Sequence, residues 1–479
     1  MLFNSFAFLF FFPCIVFFYY GMKHRFRWIF LLITSYAFYM YWKPYGFFLI
    51  AIPTLVSYLA SLAIERSSHA SKKKILILSI IINLGLLCSW KYANTMNLFF
   101  LYIFSQLHLP YRFANLNIVL PIGISFYTFQ TLSYIIDVYK QKLKAERHLG
   151  MVSLYVAFFP QLLSGPIGRA PNLLPQFSKY HHFDYDHVVY GLRRMAWGFF
   201  KKLIIADRLA IYVNGVYQNP YDFYGFHLII ATYFYAFQIY CDFSGYSDIA
   251  IGAARVMGFN LMENFSIPYR SQSIAEFWRR WHISLSTWFR DYLYIPLGGN
   301  RVTAFRRQLN LMIVFLVTGA WHGATSNFVI WGGLHGVYYL CSIWTKSIRE
   351  TCIDLFQLGQ FPKLHQFINM LFTFHIVWFA WIFFRANTLA DAFWIVCHLF
   401  DFKPTTDIQA GLTSTGFSLN IILIVVLISV ETIQYQCITL INYINNHAPL
   451  RWALYYILLM SLTLLGTFSQ PQAFVYFQF

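Results

Sequence analysis

Two histidines lie in segments of the chain where an ionisable side chain is unusual and calls for an explanation. His322 follows Trp321 at the end of an apolar stretch, residues 309–320, that is expected to lie inside a bilayer. His282 follows Trp281 in a segment crowded with arginine and tryptophan. Ionisable groups at membrane depth are costly, so they line a cavity, pair with a partner or carry a function. The two histidines together predict a reaction centre in a membrane; the alternative for each is a core histidine that bonds to a neighbouring helix.

The composition indicates a membrane protein. Of the 479 residues, 58% are hydrophobic, 21% are aromatic and only 11% are charged, whereas soluble domains have about 25% charged residues. We therefore expect an all-α, polytopic integral membrane protein with aromatic belts at the two interfaces. The net charge of +17 comes from short basic clusters between apolar stretches. This pattern is typical of cytoplasmic loops, so nucleic-acid binding is not expected.

Other kinds of chemistry find little support in the sequence. The seven cysteines show neither C-x-x-C nor zinc-ligand spacing, so we interpret them as reduced and structural and expect no metal. Residues 242–248 are rich in oxygen ligands but lack the closing glutamate of a calcium loop. We expect Asp242 and Asp248 instead to support nearby arginines or to line a cavity. Serine-hydrolase, P-loop and c-type haem motifs are absent from the sequence.

The apolar stretches predict roughly 11 to 13 membrane segments, since a spanning helix needs about 20 mostly apolar residues. The expected starts are near Leu2, Trp28, Gly46, Ile75, Ile118, Met151, Val188, His227, Leu309, Asn327, Phe367, Leu419 and Trp452. Residues 75–106, interrupted by Lys91, could form one tilted span or two. Residues 1–20 lack the features of a cleaved signal peptide and are interpreted as the first span.

The charge of the loops predicts the orientation of the chain. The loops after the first, third and fifth spans carry basic clusters, whereas the alternate loops at 43–45 and 107–117 hold one base each. The positive-inside rule then places the N-terminus outside. Residues 242–307 are too rich in charge to face lipid, so we expect short, partly re-entrant or interfacial helices that are buried in protein or border a water-filled cavity.

The segment 273–301, SIAEFWRRWHISLSTWFRDYLYIPLGGNR, resembles the signature of the membrane-bound O-acyltransferase (MBOAT) family. Further stretches agree in order along the chain: LPIGISFYTFQTLSYIIDVY at 120–139, FFPQLLSGPIGR at 158–169, YAFQIYCDFSGYSDIAIG at 235–252, GAWHGA at 319–324, WIFFRA at 381–386 and FVYFQF at 474–479. The LYIPLGGNR ending favours the acetyl-transferring branch, which includes alginate and peptidoglycan O-acetylation proteins, over the D-alanyl-transferring one. The resemblance implies one membrane-embedded domain, residues 1–479, with a ring of helices around a thinned, funnel-shaped core at residues 118–345.

The resemblance also implies roles for individual residues. His322 and His282 are the predicted catalytic residues: His322 would act as a general base or as a transient acyl carrier, and His282 would contribute to the tunnel. His335, in the following WGGLHG stretch, is interpreted as structural. The residues expected beside the acyl donor are Arg279, Arg280, Trp281 and Trp321. The arginines would face the phosphates of an anionic acyl carrier; alternatively, they anchor an interfacial helix on lipid phosphates.

The function that the resemblance implies is transfer of an acetyl group from a cytoplasmic donor, acetyl-CoA or another thioester, across the cytoplasmic (inner) membrane of a bacterium. The acceptor would be an extracytoplasmic polysaccharide, either an alginate-like exopolysaccharide or a cell-wall glycan. The sequence provides no soluble domain that could select a polymer, so a separate periplasmic or cell-surface acetyltransferase is expected as partner. No bound cofactor is expected.

Three alternatives remain open from the sequence. The chain could transfer D-alanyl or another acyl group, as other members of the family do. It could be a polysaccharide or lipid transporter or flippase, although the inverted repeats of many transporters are not visible in the sequence. It could also be a scaffold of an export complex with vestigial histidines.

Overall fold

The computed structural model describes residues 1–41, 44, 46–109, 121–163, 165–403, 412–467 and 474–475. Every regular element within these ranges is a helix, so the all-α prediction is confirmed. The predicted loops at 43–45 and 107–117 lie partly outside the described residues, as do the predicted span start at Ile118 and residues 476–479 of the last motif.

The described residues form α-helices of very different lengths. The first eleven are α1 (Phe6–Gly21), α2 (His24–Met40), α3 (Gly46–Arg66), α4 (His69–Lys91), α5 (Ala93–Gln106), α6 (Ile124–Tyr139), α7 (Leu149–Ala157), α8 (Phe159–Leu162), α9 (Ala170–Phe177), α10 (Tyr185–Phe199) and α11 (Asp207–Gln218). The others are α12 (Phe226–Val256), α13 (Ile274–Arg280), α14 (Ile283–Phe289), α15 (Ala304–His322), α16 (Ser326–Trp344), α17 (Lys346–Leu355), α18 (Pro362–Arg385), α19 (Leu389–His398), α20 (Ser414–Gln436), α21 (Ile438–Asn446) and α22 (Ala448–Leu465). Two π-helical turns, Phe200–Ala206 and Arg290–Tyr294, follow α10 and α14. Three 3₁₀ turns lie at Pro220–Asp222, Pro268–Arg270 and Leu358–Gln360.

The predicted spans correspond to helices in this structure. Each predicted start within the described ranges falls inside a helix or a few residues from its first residue. Residues 75–106 form two helices, α4 and α5, which separate at Tyr92. By length and composition, five helices of the described ranges could each cross a membrane: α3, α4, α18, α20 and α22. Others are too short to cross alone, such as α7 with 9 residues, so the total of 11 to 13 segments stays a prediction.

Contacts between residues group the chain into two compact units. The first contains residues 1–195 and 247–263, and the second contains residues 196–246 and 264–475. In the first unit, Arg194 of α10 pairs with Asp248 of α12 at 2.9 Å and with Glu263. The predicted arginine support by Asp248 is therefore confirmed. All the candidate site residues lie in the second unit, and the single-domain assignment and the 118–345 core stay predictions.

In the second unit, α15 and α16 form a hairpin whose backbones touch at two glycines. A Cβ atom on Gly332 of α16 would lie 3.0 Å from the Cα atom of Gly319 of α15 and would also collide with the carbonyl oxygen of Phe315. Helices in membranes pack this closely only through small residues. The glycines of the GAWHGA and WGGLHG stretches thus bring together the two helices that carry His322 and His335, and both histidines contact the ring of Trp331.

The hairpin gives a first prediction. The Gly332→Ala variant should unfold at a lower temperature, with a loss of stability of about 1–3 kcal/mol, because the new methyl group overpacks two helix backbones. The matched control is Gly333→Ala, since a Cβ there would meet only a side-chain methyl group of Leu316 at an ordinary 3.5 Å. Thermal unfolding of the detergent-solubilised variants measures both. Equal melting of the two variants would contradict the close backbone contact.

Candidate functional site

The second unit gathers three histidines into one aromatic cluster. His282, His322 and His335 are 1%, 3% and 0% exposed. The ring of Trp321 lies 6.5 Å from that of His282 and 4.7 Å from that of His322, measured between centroids. The ring of Trp331 lies 5.0 Å from His322 and 5.0 Å from His335. Histidine and tryptophan therefore alternate in a row, which we call the histidine row: His282, Trp321, His322, Trp331, His335.

His322 occupies the last position of α15, where the chain turns into α16. The glycine after it, Gly323, packs against the ring of Phe328 so closely that any Cβ would displace that ring. Phe328 stands edge-on to Phe384 at 5.0 Å, and Phe384 stands edge-on to His322 at 5.2 Å. Because Gly323 has no side chain, Phe328 and Phe384 can pack here, and Phe384 holds the ring of His322 in place.

His282 lies at the break between two short helices, α13 and α14. Its backbone is left-handed, with φ +44° and ψ +54°, a conformation that few non-glycine residues adopt. The backbone of Asn264 accepts a hydrogen bond from Ile283 at 2.9 Å, and Ser266 donates one to Arg280 at 3.0 Å. These two backbone hydrogen bonds to residues 264–266 stabilise the break on either side of His282. Residues with an unfavourable backbone conformation of this kind are concentrated at functional sites. The prediction of short helices for residues 242–307 is confirmed for residues 268–294, whereas residues 242–256 belong to the long helix α12.

The side chain of Asn264 also defines which nitrogen of His282 carries the proton. Its Oδ1 atom accepts hydrogen bonds from the backbone N–H of Ser284 at 3.3 Å and from the Ser284 hydroxyl at 2.9 Å. This atom is therefore an acceptor, so His282 Nδ1, at 3.2 Å, must be the donor. In a neutral ring the lone pair then belongs to Nε2. Asn264 was not among the predicted site residues, because it lies outside both histidine motifs.

His335 lies at the far end of the histidine row, among large aromatic side chains. Its ring is 5.0 Å from that of Trp278, edge-on, and 6.1 Å from that of Phe277, stacked. Phe277 and Trp278 belong to α13, so His335 ties α16 to the helix that precedes His282. This packing suits the structural role that the sequence predicts.

The four residues predicted beside the donor divide into two groups. Trp281 and Trp321 are buried, and Trp281 contacts the row through Trp381, at 5.1 Å from Trp281 and 5.8 Å from Trp331. Arg280 instead pairs with Glu276 at 2.7 Å, and Arg279 is exposed. The structure therefore brings the two tryptophans to the histidines but leaves the arginines at the edge of the cluster.

A buried lysine with two carboxylates borders the histidine row. Lys202 Nζ lies 2.7 Å from an oxygen of Asp207 and 2.7 Å from an oxygen of Asp242. The three side chains are only 1–2% exposed, and we call them the Lys202 triad. The other carboxylate oxygen of Asp242 accepts the backbone N–H of Val475 at 2.7 Å. The partner of Asp242 is thus a lysine, whereas the sequence suggested an arginine.

The Lys202 triad reaches the histidines through aromatic contacts. Phe243, next to Asp242, stands edge-on to His282 at 4.6 Å. Lys202 itself lies in the π-helical turn Phe200–Ala206, and such turns are frequent at functional sites. Lys202 was not among the predicted site residues, although two adjacent lysines in the apolar run FFKKLII were a usable signal. Within the described ranges, no three His, Cys, Asp or Glu side chains are grouped so as to hold a metal ion.

Comparison with known proteins shows which family the chain resembles. The model of the membrane-bound O-acyltransferase (MBOAT) family matches residues 148–386. The probable alginate O-acetylase AlgI of Pseudomonas aeruginosa is 40% identical over 410 residues, which cover 84% of this chain and 75% of that protein. The peptidoglycan O-acetyltransferase of Helicobacter pylori is 34% identical over 400 residues, 78% of this chain and 73% of that protein.

The similarity to D-alanyl-transferring members is lower. The teichoic acid D-alanyltransferase of Bacillus subtilis is 28% identical over 295 residues, 57% of this chain and 70% of that protein. The matched residues 148–386 include both predicted catalytic histidines and the four residues predicted beside the donor. Apolar helices, the histidine motifs and identity over most of the relatives' length therefore agree: the chain belongs to the membrane-bound O-acyltransferase family and is a membrane-embedded acyltransferase.

Proposed function

We propose that this acyltransferase passes an acetyl group from a cytoplasmic thioester, most simply acetyl-CoA, across the cytoplasmic membrane for O-acetylation of an extracytoplasmic polysaccharide. The observation that carries the proposal is the histidine row, with His322 buried at its centre. The higher identity to the O-acetyltransferase relatives, 40% and 34% against 28% for the D-alanyltransferase, supports acetyl as the transferred group.

His322 acts as the general base in the proposed reaction. It accepts the proton of the attacking hydroxyl while the oxygen bonds to the acyl carbon; the carbon–sulfur bond breaks, and the proton passes to the leaving thiolate. In the covalent variant, His322 itself receives the acetyl group first and then yields it to the hydroxyl. The rings of Trp321, Trp331 and Phe384 around His322 exclude water and so limit hydrolysis of the thioester.

The residues near His322 have supporting roles. His282, whose proton is held on Nδ1 by Asn264, lines the tunnel next to Trp321. Arg279 and Arg280 lie where the phosphates of the donor enter, since the forked guanidinium group matches phosphate oxygens. A separate periplasmic or cell-surface acetyltransferase receives the acetyl group and delivers it to the glycan.

Acetate analysis tests this function. Cells that lack the chain should yield extracellular or envelope glycan without the acetate that mild base releases, and expression of the wild-type chain should restore it. Ester-linked D-alanine measured in the same glycan tests the alternative acyl group. A change in the amount of glycan at constant acetate content per sugar would contradict the proposal and favour a transporter.

A further inference from the structure

Two arginines of the second unit converge on one tyrosine ring. The guanidinium carbon of Arg270 lies 5.2 Å from the ring centroid of Tyr435, and that of Arg280 lies 5.8 Å from it. Arg270 ends the 3₁₀ turn Pro268–Arg270, and Arg280 ends α13. Three separate parts of the chain thus meet at this point, which we call the Tyr435 cluster.

Only one of the two cations in the Tyr435 cluster is balanced by a carboxylate within the described ranges. Arg280 bonds to Glu276 at 2.7 Å and to the carbonyl oxygen of Ser266 at 3.2 Å. Arg270 has no ion pair there, and its Nη1 atom is buried without a hydrogen-bond partner among the described residues. Burial acts to lower the pKa of Arg280, but hydrogen bonds with Tyr435 and Glu276 outweigh it and raise the pKa, so this guanidinium is charged.

The charge of the cluster favours an anion. Arg270 and Arg280 lie over the same ring with one glutamate, Glu276, as their counter-charge, which leaves an excess of one positive charge among these side chains. A tyrosine ring attracts a cation only weakly, so it does not remove the mutual repulsion of two cations. Arg280 already donates to Glu276 and Ser266, so Arg270 supplies the free donor, and a guanidinium group with free donors suits the oxygens of a phosphate.

The position of the Tyr435 cluster connects it with the reaction centre. Tyr435 is the last but one residue of α20, a helix long enough to cross a membrane, so the cluster lies where a span ends. The Tyr435 side chain is 52% exposed and therefore accessible to a ligand. From Arg280 the chain continues through Trp281 directly to His282. The Tyr435 cluster therefore borders the histidine row.

We propose that Arg270 and Arg280, held over Tyr435, bind the phosphate of a phosphopantetheine thioester, which is the shared chemistry of CoA and of carrier-bound donors. The inference rests on the proposed function for the identity of the thioester. It assigns Arg270 and Tyr435, which no motif indicated, to donor selection. A donor without phosphate would lose this contact while its thioester could still reach the histidines.

Binding to the full-length, detergent-solubilised protein tests the site independently of acetyl transfer. Dissociation constants are measured for CoA, 4′-phosphopantetheine and pantetheine. Arg270→Gln should weaken binding of the first two about tenfold or more and leave pantetheine binding unchanged. Weakening for CoA alone would overturn the assignment to the phosphate next to pantetheine. No weakening, or equal weakening for all three, would show that the arginines serve only to anchor the protein on lipid headgroups.

Variants of the ring and of a remote arginine serve as controls. Tyr435→Phe keeps the ring and should retain most of the CoA affinity. Tyr435→Leu removes the ring and should weaken CoA binding nearly as much as Arg270→Gln does. Arg290→Gln is the matched charge control, since Arg290 is exposed and pairs with the neighbouring Asp291; it should bind all three ligands like the wild type. If Arg270→Gln does not fold, Arg270→Lys serves instead, because lysine keeps the positive charge but lacks the forked donors of the guanidinium group. It should weaken binding of the two phosphate-bearing ligands by a smaller factor and leave pantetheine binding unchanged.

Discussion

Replacing His322 with alanine is expected to abolish detectable polysaccharide acetylation at normal abundance in the membrane. A general base typically contributes about 10² to 10⁴ in rate, and the aromatic rings around His322 provide no other proton acceptor at that position. The measurement is acetate released by mild base from purified extracellular or envelope glycan, in cells that express each variant at matched levels. His282→Ala should impair acetylation to a lesser or equal extent.

The matched control for this prediction is His335→Phe, which keeps a ring in the aromatic surroundings of Trp278 and Trp331. It should retain substantial activity, because His335 ties α16 to α13 and takes no proton in the proposed reaction. Wild-type acetylation in the His322→Ala strain would refute the mechanism. A transporter could survive the loss of one imidazole, whereas a proton-transfer centre could not.

Removing the cation of the Lys202 triad is expected to have the largest effect on stability. Lys202→Met leaves Asp207 and Asp242 buried without their shared cation, and breaking a buried ion pair by removing one partner costs about 3–5 kcal/mol. Asp242→Asn should be much milder, because Asp207 still balances Lys202 and the amide oxygen of asparagine can still accept the N–H of Val475. The variants are compared by the temperature at which the solubilised protein loses its monodisperse state.

A surface pair provides the control for the Lys202 triad. Lys346 and Glu350 form an exposed ion pair at 3.7 Å, and Lys346→Met should change stability by less than about 1 kcal/mol. If Lys202→Met and Lys346→Met have the same melting temperature, the charges of the triad do not contribute to the stability of the protein. If it instead melts like Asp242→Asn, the two carboxylates do not share one cation.

Much of the architecture could be predicted because it depends on local properties of the chain. The length and apolarity of each stretch placed the helices, and the break at Tyr92 lay next to Lys91, the polar residue that raised the question of two spans. His282 and His322 could be selected because a polar residue among apolar or aromatic neighbours is easily recognised from the sequence alone. The same signal exists for Lys202 in the apolar run FFKKLII, but its neighbours in sequence give no indication of its two carboxylate partners.

The sequence by itself determined the all-α membrane class, the order of the helices and the family, since hydrophobic length and motif order are read along the chain. Only the tertiary structure decided how the side chains meet. It placed Trp321 and Trp331 between three histidines, gave Asp242 a lysine partner, and set Asn264 against His282. It also joined Arg270 and Arg280 to Tyr435, which is far from both in sequence. The physical reason is that ion pairs, ring contacts and hydrogen bonds depend on distances in space, which no local periodicity encodes.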